Sequence, residues 1–137
     1  MLRCALHDEL GLGNQQQSTA TSILITNYSN HNLMEEIAFT MHLKPGTVAE
    51  YQRRHDEIWP ELTEALQVAG IRDYSIYLDA DSGTLFAVQK RLPNHTADHL
   101  PTLPIMQRWW AYMADLMDTN PDNSPVVKPL QLLFHQE

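Results

Sequence analysis

Cysteine is nearly absent: Cys4 is the one cysteine in 137 residues. That excludes an intrachain disulfide framework and a cysteine-built zinc site. Basic charge is also scarce. Nine Lys and Arg stand against 17 Asp and Glu, a formal net charge of −8, and the cations form no stripe. Phosphate recognition needs clustered cations, so nucleic acid and anionic membranes are poor partners, and a small neutral or cationic ligand fits better. No apolar run approaches the roughly 18 residues of a membrane helix. Asp8, Glu9 and the polar residues after them interrupt any apolar segment of a secretory leader, so a cytoplasmic location is the default expectation. With five glycines the chain has no Gly-rich phosphate loop, which argues against a nucleotide cofactor. What is present is ordinary: 43% hydrophobic and 19% charged residues. The length is that of one domain, enough to bury a core without staples.

Patterning divides the chain near Met34. Residues 1–33 hold Gln15-Gln16-Gln17, scattered Ser, Thr and Asn, and one strand-like stretch, Ala20 to Ile25. They read as a poorly ordered tail, or as an extension from an early start codon. From Met34 onward the periods are clear. Ile37, Phe39, Met41 and Leu43 alternate with Ala38, Thr40 and His42, the period-2 signal of a strand. Pro45-Gly46 breaks it, and Thr47-Val48-Ala49-Glu50 reads as a capping box. Val48, Tyr51, His55, Ile58, Leu62, Ala65 and Ala69 then recur at steps of three and four, a helical stripe closed by Gly70. Pro60 inside that stripe predicts a kink or restart near Trp59.

Tyr74, Ile76 and Leu78 form a second strand, Asp79 to Gly83 a turn, and Leu85 to Val88 its hairpin partner. Prolines limit Leu92 to Pro104 to a loop with at most a short helix. Ile105 to Met117 is the second helix, Asn120 to Pro125 a turn segment, and Leu130 to His135 a last strand. This order predicts an α+β fold of the ferredoxin-like, split βαβ plan (βαββαβ): a four-stranded antiparallel sheet with the helices on one face. The other face needs a cover, and a second copy of the chain supplies the simplest one.

Candidate chemistry concentrates on two helices. Tyr51 and His55 are four apart and share the inward stripe, where polar groups must find partners. They read either as a satisfied structural pair or as an imidazole lining a pocket, suited to proton exchange near neutral pH. Trp109 and Trp110 point about 100° apart, so one can pack the core while the other walls a cavity. His95 and His99 have a zinc-like spacing but lack a third ligand, and no metal is assigned to them. Asp56, Glu57, Glu61 and Glu64 read as a solvated face, and His42 and His135 as packing or edge residues.

Tyr51-Gln52-Arg53-Arg54-His55-Asp56-Glu57-Ile58-Trp59-Pro60-Glu61-Leu62 resembles the L-rhamnose mutarotase family. So do Tyr74 to Asp79, Gln107 to Met113 and Asn120 to Pro125, in the same order. The resemblance covers residues 34–137, and Leu92 to Pro104 carries no family motif. It implies a dimeric α+β barrel, an isomerase that interconverts the α and β anomers of L-rhamnose with no metal or cofactor. His55 aligns with the family's proton donor. Tyr51, Tyr74, Trp109 and Trp110 align with its sugar-binding positions. No residue is assigned as the complementary base. The same fold also serves ligand-binding and cofactor-free or haem oxygenase-type modules, and fold alone does not separate them.

Overall fold

A computed structural model describes residues 33–137, of which Glu35–Glu137 form one compact unit. The tail reading, with its Ala20 to Ile25 strand, lies outside the described residues. Strand β1 (Glu35–His42) leads through the Pro45-Gly46 break into α1 (Val48–Asp56) and α2 (Pro60–Val68). A hairpin of β2 (Ile71–Asp79) and β3 (Thr84–Arg91) follows. A 3₁₀ helix (Ala97–Thr102), α3 (Pro104–Met113), a 3₁₀ turn (Ala114–Leu116) and β4 (Lys128–Pro129) complete the chain. The sheet order is β2-β3-β1-β4 with every neighbouring pair antiparallel, the arrangement expected of a split βαβ domain.

Alternation decides which face of the sheet the helices cover. Met41 pairs with Leu85 and Phe39 with Ala87, and these inward side chains meet Leu62, Trp109 and Met113 from the helices. Leu62 is 2% exposed and seals the middle of that layer. The opposite face carries Tyr77 beside Phe86, and Tyr77 is 65% exposed.

The break between α1 and α2 falls where proline predicts it. Pro60 occupies the first turn of α2, where its missing N–H costs nothing, and Trp59 before it is extended at φ −64°, ψ 129°. Gly70 ends α2 at φ +89°, and a Cβ there would approach His95 Cβ to 3.1 Å. Only glycine takes that left-handed turn without strain or collision.

Three expectations require correction. Thr47 and Glu50 do not form a capping box. Thr47 Oγ1 donates to the carbonyls of Lys44 (2.7 Å) and Leu116 (3.0 Å), while the Glu50 carboxylate binds the guanidiniums of Arg53 and Arg54. Two guanidiniums outcompete a neutral backbone N–H for a carboxylate. The last strand is not Leu130 to His135 but Lys128–Pro129, extended by one bond from Leu130 N to the Ala38 carbonyl at 2.9 Å. Beyond it the apolar residues Leu132, Leu133 and Phe134 find no cover among the described residues, and the start of β1 alongside offers the exposed Glu35 and Glu36. The second helix stops at Met113 rather than Met117, its end tightening into a 3₁₀ turn.

Candidate active site

A cavity of about 660 Å³ opens between the helices and the inward face of the sheet. Its size lies within the range of small-molecule sites. His55, Tyr51, Tyr74, Trp109 and Trp110 all line it, so the five residues aligned with the family's site meet in one place.

His55 occupies the last turn of α1 and is half-buried. Its Nδ1 donates to the Tyr51 carbonyl one turn earlier, at 3.0 Å. A carbonyl only accepts, so Nδ1 carries the hydrogen and Nε2 of the neutral ring presents its lone pair. The imidazole lies over the Tyr51 ring at 4.3 Å between centroids and meets the edge of Trp109 at 5.4 Å. Burial lowers the His55 pKa below its ordinary value, against the opposing pull of the Tyr51 carbonyl and Asp56. That burial favours the uncharged form of the ring.

Two further groups hold the imidazole in place. Trp109 is buried, and its own face is fixed by the Trp59 ring at 5.1 Å and by Tyr112 at 5.8 Å. Arg54, next in sequence to His55, points away from the cavity with its side chain 12% exposed. It donates to Glu50, to both carboxylate oxygens of Asp115 and to the Tyr112 carbonyl, and it lies 4.4 Å over the Tyr112 ring. This clasp ties α1 to the end of α3, which fixes the rotation of α1 that turns His55 inward.

The two tyrosines differ in how the backbone delivers them. Tyr51 is buried within the α1 stripe, and that burial raises its phenol well above the ordinary range, with Tyr74 adding to the effect. Tyr74 depends on a β-bulge. The β2–β3 register shifts between Arg72 and Ser75, with Asp73 left-handed at φ 47° and its carboxylate 3.3 Å from Lys90 Nζ. Such a bulge re-aims the next side chain, and Tyr74 turns into the cavity. Part of Tyr74 is accessible, yet surrounding protein desolvates the hydroxyl and pushes it up to about 12, with Arg91 pulling the other way. Trp109 packs the core side of the cavity, and the half-buried Trp110 lines it from the next position.

The structure adds Gln52, Gln89 and Arg91 to the lining, which the sequence reading passed over. The signal was there: Leu85, Ala87, Gln89 and Arg91 share the inward phase of β3, and two polar residues at inward positions need partners. Among the described residues the other histidines lie elsewhere. His95 Nδ1 accepts from Ala97 N at 3.2 Å and His99 is exposed, while His42 pairs with Asp118 at 3.1 Å and bonds the Ser82 carbonyl. Among the described residues no group of three or more His, Cys, Asp or Glu could hold a metal ion. No helix among them is long and apolar enough to cross a membrane.

A half-buried imidazole and an aromatic wall, set between the sheet and helices of an antiparallel α+β domain, are the features of a small-ligand enzyme of the ferredoxin-like class. The sequence profile of the L-rhamnose mutarotase family matches residues 36–136. The chain belongs to that family. An L-rhamnose mutarotase of Acidiphilium cryptum (strain JF-5) is 60% identical over 102 residues, 74% of this chain and 98% of the relative. One of Jannaschia sp. (strain CCS1) is 57% identical over the same length, again covering 74% and 98%. A crystal structure of L-rhamnose mutarotase from Formosa agariphila superimposes with a TM-score of 0.69 at 45% identity, covering 75% of this chain and 99% of that one.

Proposed function

We propose that this chain is an isomerase that interconverts the α and β anomers of L-rhamnose, with His55 carrying the proton. Family membership supports the reaction, and the His55 ring in the cavity wall, with Nδ1 engaged by a carbonyl and Nε2 left free for the ligand, supports the residue. Nε2 takes the proton from the anomeric hydroxyl, and electrons from that O–H bond form the aldehyde carbonyl. The bond from C1 to the ring oxygen breaks, and the imidazolium just formed donates its proton to that oxygen. Rotation about C1–C2 exposes the other carbonyl face. Reclosure reverses each transfer and restores neutral His55.

Tyr51, beneath the imidazole, holds it in register. Its buried phenol and that of Tyr74 stay protonated at neutral pH and act as hydrogen-bond donors to the sugar. Trp109 and Trp110 supply apolar surface for C–H faces and the 6-methyl group. Saturation-transfer NMR on an equilibrated mixture of rhamnose anomers is the direct test. Exchange should accelerate in proportion to protein concentration and far less for galactose. Exchange at the solvent rate at every protein concentration overturns the assignment.

The reading includes a homodimer. The outward face of the sheet exposes Tyr77 and Phe86, and the C-terminal residues are equally uncovered, Leu133 at 87% exposure. Apolar surface of this kind marks an interaction site, and a two-residue edge strand leaves hydrogen-bonding groups for a neighbour to take. Light scattering after gel filtration should give twice the chain mass, and deletion of residues 130–137 should shift it to the monomer. A full chain that elutes as monomer across the micromolar range removes the dimer.

A further inference from the structure

The cavity has a polar wall on the sheet side that the proton-transfer chemistry does not use. Gln89 is 6% exposed, the one buried polar side chain among the described residues. It faces the cavity from the centre of β3, opposite Ile37 on one side and the Asp73-Tyr74 bulge on the other. Its Oε1 accepts from Arg91 Nε at 2.9 Å, which settles the orientation of the amide, since a guanidinium only donates. The Gln89 Nε2 hydrogens have no acceptor among the described residues. No side-chain atom there is both sealed and unpaired, so the NH₂ group opens onto the cavity.

Arg91 is in the same position. It is half-buried, lines the cavity and makes no ion pair among the described residues, where Arg53, Arg54, Lys90 and Arg108 all have carboxylate partners. Glu35, its register neighbour on β1, is exposed and not within ion-pair distance. Holding the Nε edge against Gln89 leaves both terminal nitrogens as donors. A half-buried cation with no anion beside it needs oxygen acceptors from something else.

We propose that Gln89 and Arg91 form a donor pair that binds adjacent hydroxyl oxygens of the sugar, so that this wall selects the ligand. The pair presents donors only. It therefore reads lone pairs on contiguous hydroxyls, and Tyr74 across the strand extends the same row. The inference rests on the sugar-isomerase reading, and a binding measurement separates the two.

Tryptophan fluorescence titration with L-rhamnose is that measurement, because Trp109 and Trp110 line the cavity. Arg91→Met should raise Kd about 10- to 100-fold and Gln89→Leu about 3- to 10-fold, the sizes expected for lost charged and neutral hydrogen bonds. Arg91→Lys should recover part of the loss. Among the monodeoxy analogues of L-rhamnose, one should bind wild type and Arg91→Met almost equally, because its missing oxygen is the partner. KM should follow Kd while kcat stays within about twofold, a split that a merely structural role does not produce. An unchanged Kd in folded variants overturns the donor pair, as does an equal loss for every analogue. Tighter binding of a hexuronate than of rhamnose also overturns it, since Arg91 would then be a carboxylate site. A wild type that binds rhamnose but does not speed exchange sinks the catalytic reading and leaves the wall intact.

Discussion

His55→Ala should slow catalysed anomer exchange by about 10²- to 10⁴-fold, the usual contribution of a positioned acid–base group. The fold should survive. The ring is half-buried at the end of α1, and what it gives up is one bond to a local carbonyl and its contacts with Tyr51 and Trp109. Far-UV circular dichroism should be unchanged while saturation transfer between the anomers collapses toward the solvent rate. A folded His55→Ala protein with wild-type exchange would remove the imidazole from the mechanism.

The pH dependence follows from the same residue. Burial depresses the His55 pKa, so Nε2 is unprotonated across the neutral range. Activity as kcat/KM should be flat there and fall as pH drops through a value below the ordinary histidine pKa. Stability moves in the same direction. Unfolded histidine binds a proton more readily than the folded one, so the contribution is present above the unfolded pKa and lost as pH falls through the folded one. In His55→Ala both the acid limb of the rate profile and this part of the pH–stability curve should flatten. A rate that rises as pH falls would mean that the resting ring is the donor.

Leu62→Ala should give the largest loss of stability, about 2–5 kcal/mol. Leu62 is 2% exposed and stands between α2 and the sheet, against the inward face that includes Leu85 and Ala87. Truncation removes its contacts and leaves a void that a close-packed layer fills only in part. Because Leu62 also lines the cavity, the void joins the ligand hollow. Kd for rhamnose should therefore rise along with the drop in urea midpoint. Leu62→Met, close in volume, should cost less than about 1.5 kcal/mol. Equal midpoints for the alanine and wild-type proteins would show that this layer carries little of the stability.

Much of the fold is legible because its signals are local. The alternation from Ile37 to Leu43, the helical stripe from Val48 to Ala69, Pro60 and the hairpin turn each act over a few residues. Where two partners competed, local reading failed. Glu50 was matched to Thr47 by spacing, but Arg53 and Arg54 sit on the same helix face and attract its carboxylate more strongly. Leu130 to His135 alternates like a strand, yet a strand exists only if an edge accepts it, and β1 accepts two residues. The site divides in the same way. Tyr51 and His55 could be placed together from a four-residue step, while Gln89 and Arg91 share only an inward phase on β3, which becomes a cavity wall once the sheet faces the helices.

The sequence by itself determined the element order, the family and the pairing of tyrosine with histidine on one inward stripe, since dihedral preference and periodicity are properties of neighbouring residues. Only the tertiary structure decided that His55 lines a cavity, how the bulge at Asp73 aims Tyr74, and that Arg91 meets no carboxylate among the described residues. Those outcomes depend on orientation between elements far apart in the chain, where hydrogen bonds and burial compete and the winner is set by geometry.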